Sequence, residues 1–209
     1  MAGILVPAVE KYLGGVIPER DGVLKEMEAY AREHEVPIIG PECGRLLYLL
    51  TQTSGAKRIF EMGSAIGYSA MWFALAAGPH AEIYYTDGDP KNADLARANL
   101  GKAGVLEQVR ILTGDAIELI DGVSGEFDII LIDVLKHQYP AALKKSLGRV
   151  KQGGLIIADN VLWSGRVTEA PKEDSTRGIL EFNNMIYSSR ELFPVIVPLR
   201  DGVAVCRKI

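Results

Sequence analysis

The sequence predicts an α/β protein: a doubly wound, mostly parallel seven-stranded sheet that ends in a C-terminal antiparallel hairpin and is preceded by an N-terminal helical arm. Three observations carry this. From residue 57 onward, short apolar runs alternate with helix-capable stretches. Two of those runs, DIILID (128–133) and GLIIAD (154–159), are apolar at consecutive positions, as expected of parallel strands covered by helices on both faces. Near the end, the β-rich runs PVIVPL and VAVCRKI flank Arg200-Asp201-Gly202, and Asp-Gly between such runs signals a hairpin. Alternation of this kind implies right-handed crossovers between neighbouring parallel strands.

The elements follow in order. Residues 1–54 form the arm and residues 55–209 the core of one domain. In the arm, Met27, Tyr30 and Ala31 lie at helical spacing within the charged segment from Asp21 to His34. A second arm helix is expected over PECGRLLYLLTQT, with Pro41 in the first turn, where a missing N–H costs nothing. Ile4, Leu5 and Val6 leave apolar surface that nothing local covers, so the arm is expected to pack on the domain or on a second subunit. Strands are expected at Arg58–Met62, Glu82–Thr86, Val109–Thr113, Phe127–Ile132 and Gly154–Ala158. Helices are expected at Tyr68–Ala77, Pro90–Lys102, Asp115–Ile120, Pro140–Val150 and Thr176–Ser189.

Composition narrows the function classes. The 209 residues are 48% hydrophobic and 24% charged, ordinary for a globular domain. A net charge of −4 disfavours nucleic acid as a partner. No apolar run approaches the roughly 20 residues that cross a bilayer, and the opening MAGILVPAVEKYL lacks a basic leader segment, so no membrane association is expected. Cys43 and Cys206 are too few for a disulfide framework or a zinc site; structural thiols in the reducing cytoplasm are expected.

The strand-to-helix loops carry the chemistry. Glu61-Met62-Gly63-Ser64-Ala65-Ile66-Gly67-Tyr68-Ser69 joins the first strand to its helix. Gly63 permits a sharp turn and a close ligand approach, and Gly67 opens a helix whose free N–H groups favour an anion. The spacing is neither the dinucleotide fingerprint nor a P-loop. A plain tight turn would use the same glycines. The second strand ends at Asp87-Gly88, where an acid can accept both ribose hydroxyl protons. The third ends at Asp115-Ala116, where an adenine edge is read in such folds. The next two end in Asp133 and in Asp159-Asn160. In a doubly wound sheet these tips open on one crevice. Two carboxylates and an amide carbonyl, with no Cys or His, suit Mg²⁺ or Ca²⁺ rather than Zn²⁺. A helix cap and a turn are the plainer alternatives.

Taken in order, EMGSAIGYS, the acid of strand two, GDA, LIDVLKHQY and ADNVLWSG resemble the cation-dependent small-molecule O-methyltransferases of the catechol and caffeoyl-coenzyme-A type, most closely their bacterial members. The resemblance runs from about Ile38 to Ile209. It implies a class I methyltransferase fold, S-adenosylmethionine as cofactor, a divalent ion (Mg²⁺, or Ca²⁺ or Mn²⁺), an aromatic vicinal diol as acceptor, and a homodimer. By matching positions, it implies that Glu61, Gly63 and Gly67 line the methionine part of the cofactor, that Tyr68 and Ser69 contact its carboxylate, and that Asp87 holds the ribose. Gly88, Asp115 and Ala116 would lie by the adenine, and the backbone amide of Ile39 would touch the cofactor. Asp133, Asp159 and Asn160 would ligate the ion, and Lys136 would act as general base; Asp133 would thus serve catalysis, cofactor and metal together. Val134 and Leu135 replace a His-Trp pair of the animal catechol enzymes, Gly88 replaces a larger residue, and the acid that holds the second catechol hydroxyl has no match. Trp163 resembles the plant and bacterial branch.

Other residues are read as structural. His34 and His80 are expected in solvent, His137 on the surface, Trp72, Phe73, Tyr84 and Tyr85 in packing, and the charged segment 166–177 as a loop over the acceptor or a free loop. Two competing functions remain at this level: a catalytically degenerate S-adenosylmethionine-binding module, and a methyltransferase with an RNA or protein acceptor.

Overall fold

The computed structural model describes residues 4–20 and 22–209. Asp21, the expected start of the first arm helix, lies outside the described residues, as do residues 1–3. The arm holds three helices, α1 (Pro7–Val16), α2 (Gly22–Glu33) and α3 (Gly40–Ser54). The first was not anticipated. It is short, carries Gly14 and Gly15, and buries none of its residues; Val9, Tyr12 and Val16 lie at helical spacing but stay exposed. The Ile4 amide donates to the Arg200 carbonyl, which ties the beginning of the arm to its own domain, while Val6 stays exposed.

The core alternates β1 (Arg58–Met62), α4 (Tyr68–Ala77), β2 (Glu82–Asp87), α5 (Pro90–Lys102), β3 (Val109–Thr113), α6 (Ala116–Leu119), β4 (Phe127–Ile132), α7 (Tyr139–Leu147) and β5 (Val150–Ala158), then closes with α8 (Asp174–Ser188), β6 (Leu192–Val197) and β7 (Val203–Lys208). The strand order is β3-β2-β1-β4-β5-β7-β6. The first five strands are parallel; β7 runs antiparallel to β5, and β6 to β7. The expected hairpin is therefore present. β5 begins four residues before the expected Gly154, because Val150 pairs with Phe127 across a register shift.

Burial explains the two-sided strands. Ile129 and Leu131 join one buried cluster with residues of α2 to α5, including Met27, Leu47, Phe73 and Ala96. Ile130 and Ile132 join the other, with Tyr139, Leu143, Ile179 and Phe182 of α7 and α8. Consecutive residues of one strand thus feed two opposite cores. Among the described residues no helix is long and apolar enough to cross a membrane.

Register then sets the crevice. β1 is flanked by β2 and β4, so the chain changes direction of build across β1 and β4. Met62 pairs with Ile132, and Ile132 with Ala158. The residues that follow, Gly63, Asp133 and Asp159, therefore leave the sheet side by side.

Candidate active site

At these carboxyl ends lies a cavity of about 940 Å³. Its wall takes Gly63 and Ala65 from the first loop, Asp87 and Gly88 from the second, Asp115 and Ala116 from the third, Asp133 and Lys136 from the fourth, and Asp159 and Asn160 from the fifth. Residues brought together from five strand tips are thus the ones singled out for cofactor, metal and base.

The nucleoside end is built first. Asp87 Oδ2 accepts from the Ala65 amide at 3.0 Å, and Oδ1 accepts from the Asp89 amide at 2.8 Å and from Asn92 Nδ2 at 3.1 Å. These bonds hold its carboxylate against the first loop. Asp115 caps α6, its Oδ1 accepting from the Ile117 amide at 2.7 Å, so the cap and the place in the wall coexist. Gly63 has φ 89°. Gly67, at φ 84°, fits against α5, where a Cβ would stand 3.0 Å from the Ala96 Cβ. That packing explains its glycine.

Glu61 lies wholly buried behind the first loop. Its Oε2 accepts from Ser64 Oγ at 3.0 Å, and its Oε1 has no protein partner. Burial pushes its carboxyl up to about 7, against the pull of Ser69 and Ser64 and with a smaller push from the Asp133 charge. Ser69 is buried beside it, at the start of α4. Ile39 is buried, and its neighbour Ile38 forms the wall. The Tyr68 hydroxyl donates to Glu28 Oε1 at 2.7 Å, and Glu28 in turn pairs with Arg20. Its side chain thus anchors the arm, because the first residue of α4 points into the α2 layer, which leaves its backbone at the first loop, where the cofactor carboxylate is expected.

The other end gathers the proposed metal donors. Asp133 Oδ1 accepts from Lys136 Nζ at 2.7 Å. Lys136 Nζ also donates to the Tyr139 hydroxyl at 2.7 Å, and that hydroxyl donates to the Asp159 carbonyl at 2.9 Å. Asp159 is 4% exposed, and its Oδ1 is buried without a partner. Burial, and then the Asp133 charge, push the Asp159 carboxyl up. Asn160 is buried with φ 58°, a left-handed conformation that turns the chain sharply after Asp159. No cluster of three or more His, Cys, Asp or Glu side chains suited to a metal occurs among the described residues. The third oxygen here would come from an amide. An orphaned buried carboxylate oxygen beside a second carboxylate is a costly arrangement that a hard divalent cation would relieve, so the donor set fits such an ion.

Several residues in or behind the wall were not legible in the sequence. Tyr139 fixes both Lys136 and Asp159, yet reads only as a helix start. Arg200, in the hairpin turn, reaches the wall and donates from Nη1 to the Ile38 carbonyl at 3.1 Å. His34, expected in solvent, is exposed but stacks on Tyr30 with ring centroids 4.2 Å apart and borders the cavity. Trp163 lies in the wall with Arg166 over its ring at 4.1 Å. Trp72, Phe73 and Tyr85 are buried, as expected of packing residues. Both cysteines are free and buried.

Comparison with known proteins agrees with this geometry. The family model described as O-methyltransferase matches residues 18–209. A catechol O-methyltransferase of Niastella koreensis is 34% identical, over 94% of this chain and 95% of its own. A caffeoyl-CoA O-methyltransferase of Eucalyptus globulus is 30% identical, over 93% and 85%. The crystal structure of an O-methyltransferase from Bacillus cereus in complex with SAH superposes with a TM-score of 0.87 at 27% identity, covering 97% of each chain. With its parallel core, its antiparallel closing pair and a match over nearly its whole length, the chain belongs to the O-methyltransferase family and is an S-adenosylmethionine-dependent O-methyltransferase.

Proposed function

We propose that this enzyme methylates one hydroxyl of a vicinal aromatic diol with the help of a divalent cation, Mg²⁺ being the first choice. The observation that carries the reading is the buried, unpartnered Oδ1 of Asp159 in the same wall as Asp133, Asn160 and Lys136. Asp133, Asp159 and Asn160 would hold the ion, and Asp87 the ribose of the cofactor. When bound, the cofactor supplies a sulfonium methyl group and the ion lowers the pKa of a phenol from its usual value of about 10.

The remaining work falls to the chain. Lys136 is nearly enclosed and held by two acceptors, Asp133 and Tyr139. As general base, Lys136 would take the phenol proton at Nζ, and Asp133 and Tyr139 fix where that nitrogen stands. The phenol oxygen then bonds to the methyl carbon as the carbon–sulfur bond breaks, and a methyl ether and S-adenosylhomocysteine leave. The wall aligns the two reactants, which is worth several powers of ten in such displacements.

The names of the relatives support an acceptor of this class, since those proteins are called catechol and caffeoyl-CoA O-methyltransferases. The same reading extends to a cytoplasmic homodimer. Two buried free thiols support a reducing compartment. Val9, Tyr12 and Val16, exposed along one side of α1, support a second copy as their cover.

The test is turnover of catechols and caffeoyl esters with S-adenosylmethionine, with Mg²⁺ or with chelator. Turnover is expected with Mg²⁺ alone, and Asp133→Ala and Asp159→Ala are each expected to abolish it. Full activity in chelator, or in either variant, overturns the metal role.

A further inference from the structure

Arg200 stands where the backbone favours glycine. Its φ is 51°, and a non-glycine residue in that region costs on the order of 1 kcal/mol or more. Such strain persists where the side chain has a task. Strand order says where the task lies. The nucleoside acids Asp87 and Asp115 follow β2 and β3, the cation donors follow β4 and β5, and β7 is next beyond β5. β7 runs antiparallel and pairs Ala204 with Ala158, so the turn before it lies at the same edge as Asp159. The turn is stitched there: the Val161 and Leu162 amides donate to the Gly202 and Asp201 carbonyls at 3.0 Å each. Arg200 therefore borders the cavity past the cation donors, on the side away from the nucleoside acids.

Its guanidinium is incompletely used. It lies over Gly40, where a Cβ would come within 3.1 Å of Nη1. Nη1 donates to the Ile38 carbonyl, and no other side-chain hydrogen bond from this residue is found among the described residues. No carboxylate pairs with it within 4.0 Å among them, whereas Lys136, the other cation of the wall, is paired with Asp133. A guanidinium with free N–H groups matches the planar fork of a carboxylate.

We infer that Arg200 is a specificity-determining residue that binds a carboxylate on the acceptor, so that the preferred substrate is a catechol carrying an acid group remote from its two hydroxyls. This rests on the catechol reading above: a diol held at the β4 and β5 tips directs the far side of its ring toward β7.

The experiment compares 3,4-dihydroxybenzoate with its methyl ester, a neutral partner of the same ring. Turnover is measured with Mg²⁺ in the native enzyme, in Arg200→Gly and in Arg200→Lys. Affinity for the two compounds is measured by calorimetry on the S-adenosylhomocysteine complex. The native enzyme is expected to favour the acid over the ester by about 10- to 100-fold in kcat/KM and in Kd, the range for hydrogen bonds to charged groups. Arg200→Gly is expected to erase that preference, so that kcat/KM for acid and ester come within about threefold of each other, and Arg200→Lys to restore part of it. Glycine suits the φ of 51°, so this variant is expected to fold with an unchanged or higher Tm. Equal treatment of acid and ester by the native enzyme, or a preference that survives Arg200→Gly, overturns the role of Arg200 and leaves the catechol reading standing. Turnover of neither compound, nor of plain catechol, overturns both.

Discussion

Gly63 and Asp133 meet backbone to backbone: a Cβ on residue 63 would stand 2.3 Å from the main-chain oxygen of Asp133. The contact joins the loop after β1 to the tip of β4, and so joins the cofactor end of the crevice to the proposed metal end. The Asp133 amide also donates to the Met62 carbonyl at 2.8 Å, which leaves no slack. Residue 63 further needs its φ of 89°. Gly63→Ala is therefore expected to destabilise the fold by about 3 kcal/mol or more, from strain and overpacking together, and to weaken S-adenosylhomocysteine binding at least tenfold. Thermal unfolding and calorimetry read the two effects; native values for both would show that the loops yield more than this contact allows.

A second close approach sits behind the base. A Cβ on Gly178, in α8, would stand 2.4 Å from the Lys136 carbonyl and 2.7 Å from the His137 Cα. The helix thus presses directly on the turn that presents Lys136. Gly178→Ala is expected to push that turn outward. The predicted result is a fall in kcat of about tenfold to a hundredfold, as for a displacement of about an ångström near reacting groups, with the KM for S-adenosylmethionine little changed. Equal losses in binding and turnover would instead mark a general loss of folding.

Why the two contacts differ in legibility is physical. Gly63 sits in a local pattern, strand then glycine then helix, and local pattern is what a sequence displays. Strands apolar at consecutive positions, such as Ile129–Ile132, likewise announce their two-sided burial, and the tips at Asp87, Asp133 and Asp159 follow from it. Gly178 is glycine because of residues 136 and 137, some 40 positions away, and nothing near it says so. Arg200 and Tyr139 belong to the same class: each enters the site through contacts with distant chain, at Ile38 and Asp159. Helix α1 went unread although Val9, Tyr12 and Val16 lie at helical spacing, because Gly14 and Gly15 lower the helix propensity of so short a segment. For Tyr68, position in a motif does not tell which way the side chain points; Glu28, from the arm, decides that.

Tyr139 holds Lys136 by one hydrogen bond and the Asp159 carbonyl by another, while wholly buried. Tyr139→Phe removes only the hydroxyl. The Asp159 carbonyl loses a donor and Lys136 keeps Asp133 alone. A loss of about 1–2 kcal/mol in stability is expected, the usual result when a buried hydrogen bond loses one partner. Turnover is expected to fall about tenfold, since the amine would no longer be held from two sides. Unchanged turnover would remove Tyr139 from the base-positioning role.

Glu61 gives the free enzyme a pH dependence of known sign. Its carboxyl is raised from an ordinary 4.5 to about 7, chiefly by burial. A carboxyl raised on folding binds its proton more tightly in the folded state than in the unfolded one. Its contribution to stability is therefore complete below about 4.5 and is lost as pH rises through 7. Over that interval the loss is on the order of 3 kcal/mol, at about 1.4 kcal/mol per pH unit. Glu61→Gln keeps the shape and can still accept from Ser64, but it carries no charge at any pH. The variant and the native enzyme are expected to differ little near pH 5, and the variant to become the more stable of the two by pH 8, by several degrees in Tm. Unfolding curves collected without cofactor across that range decide the matter: a difference in Tm that stays constant with pH would mean that Glu61 titrates alike in both states, as an open, solvated carboxylate does.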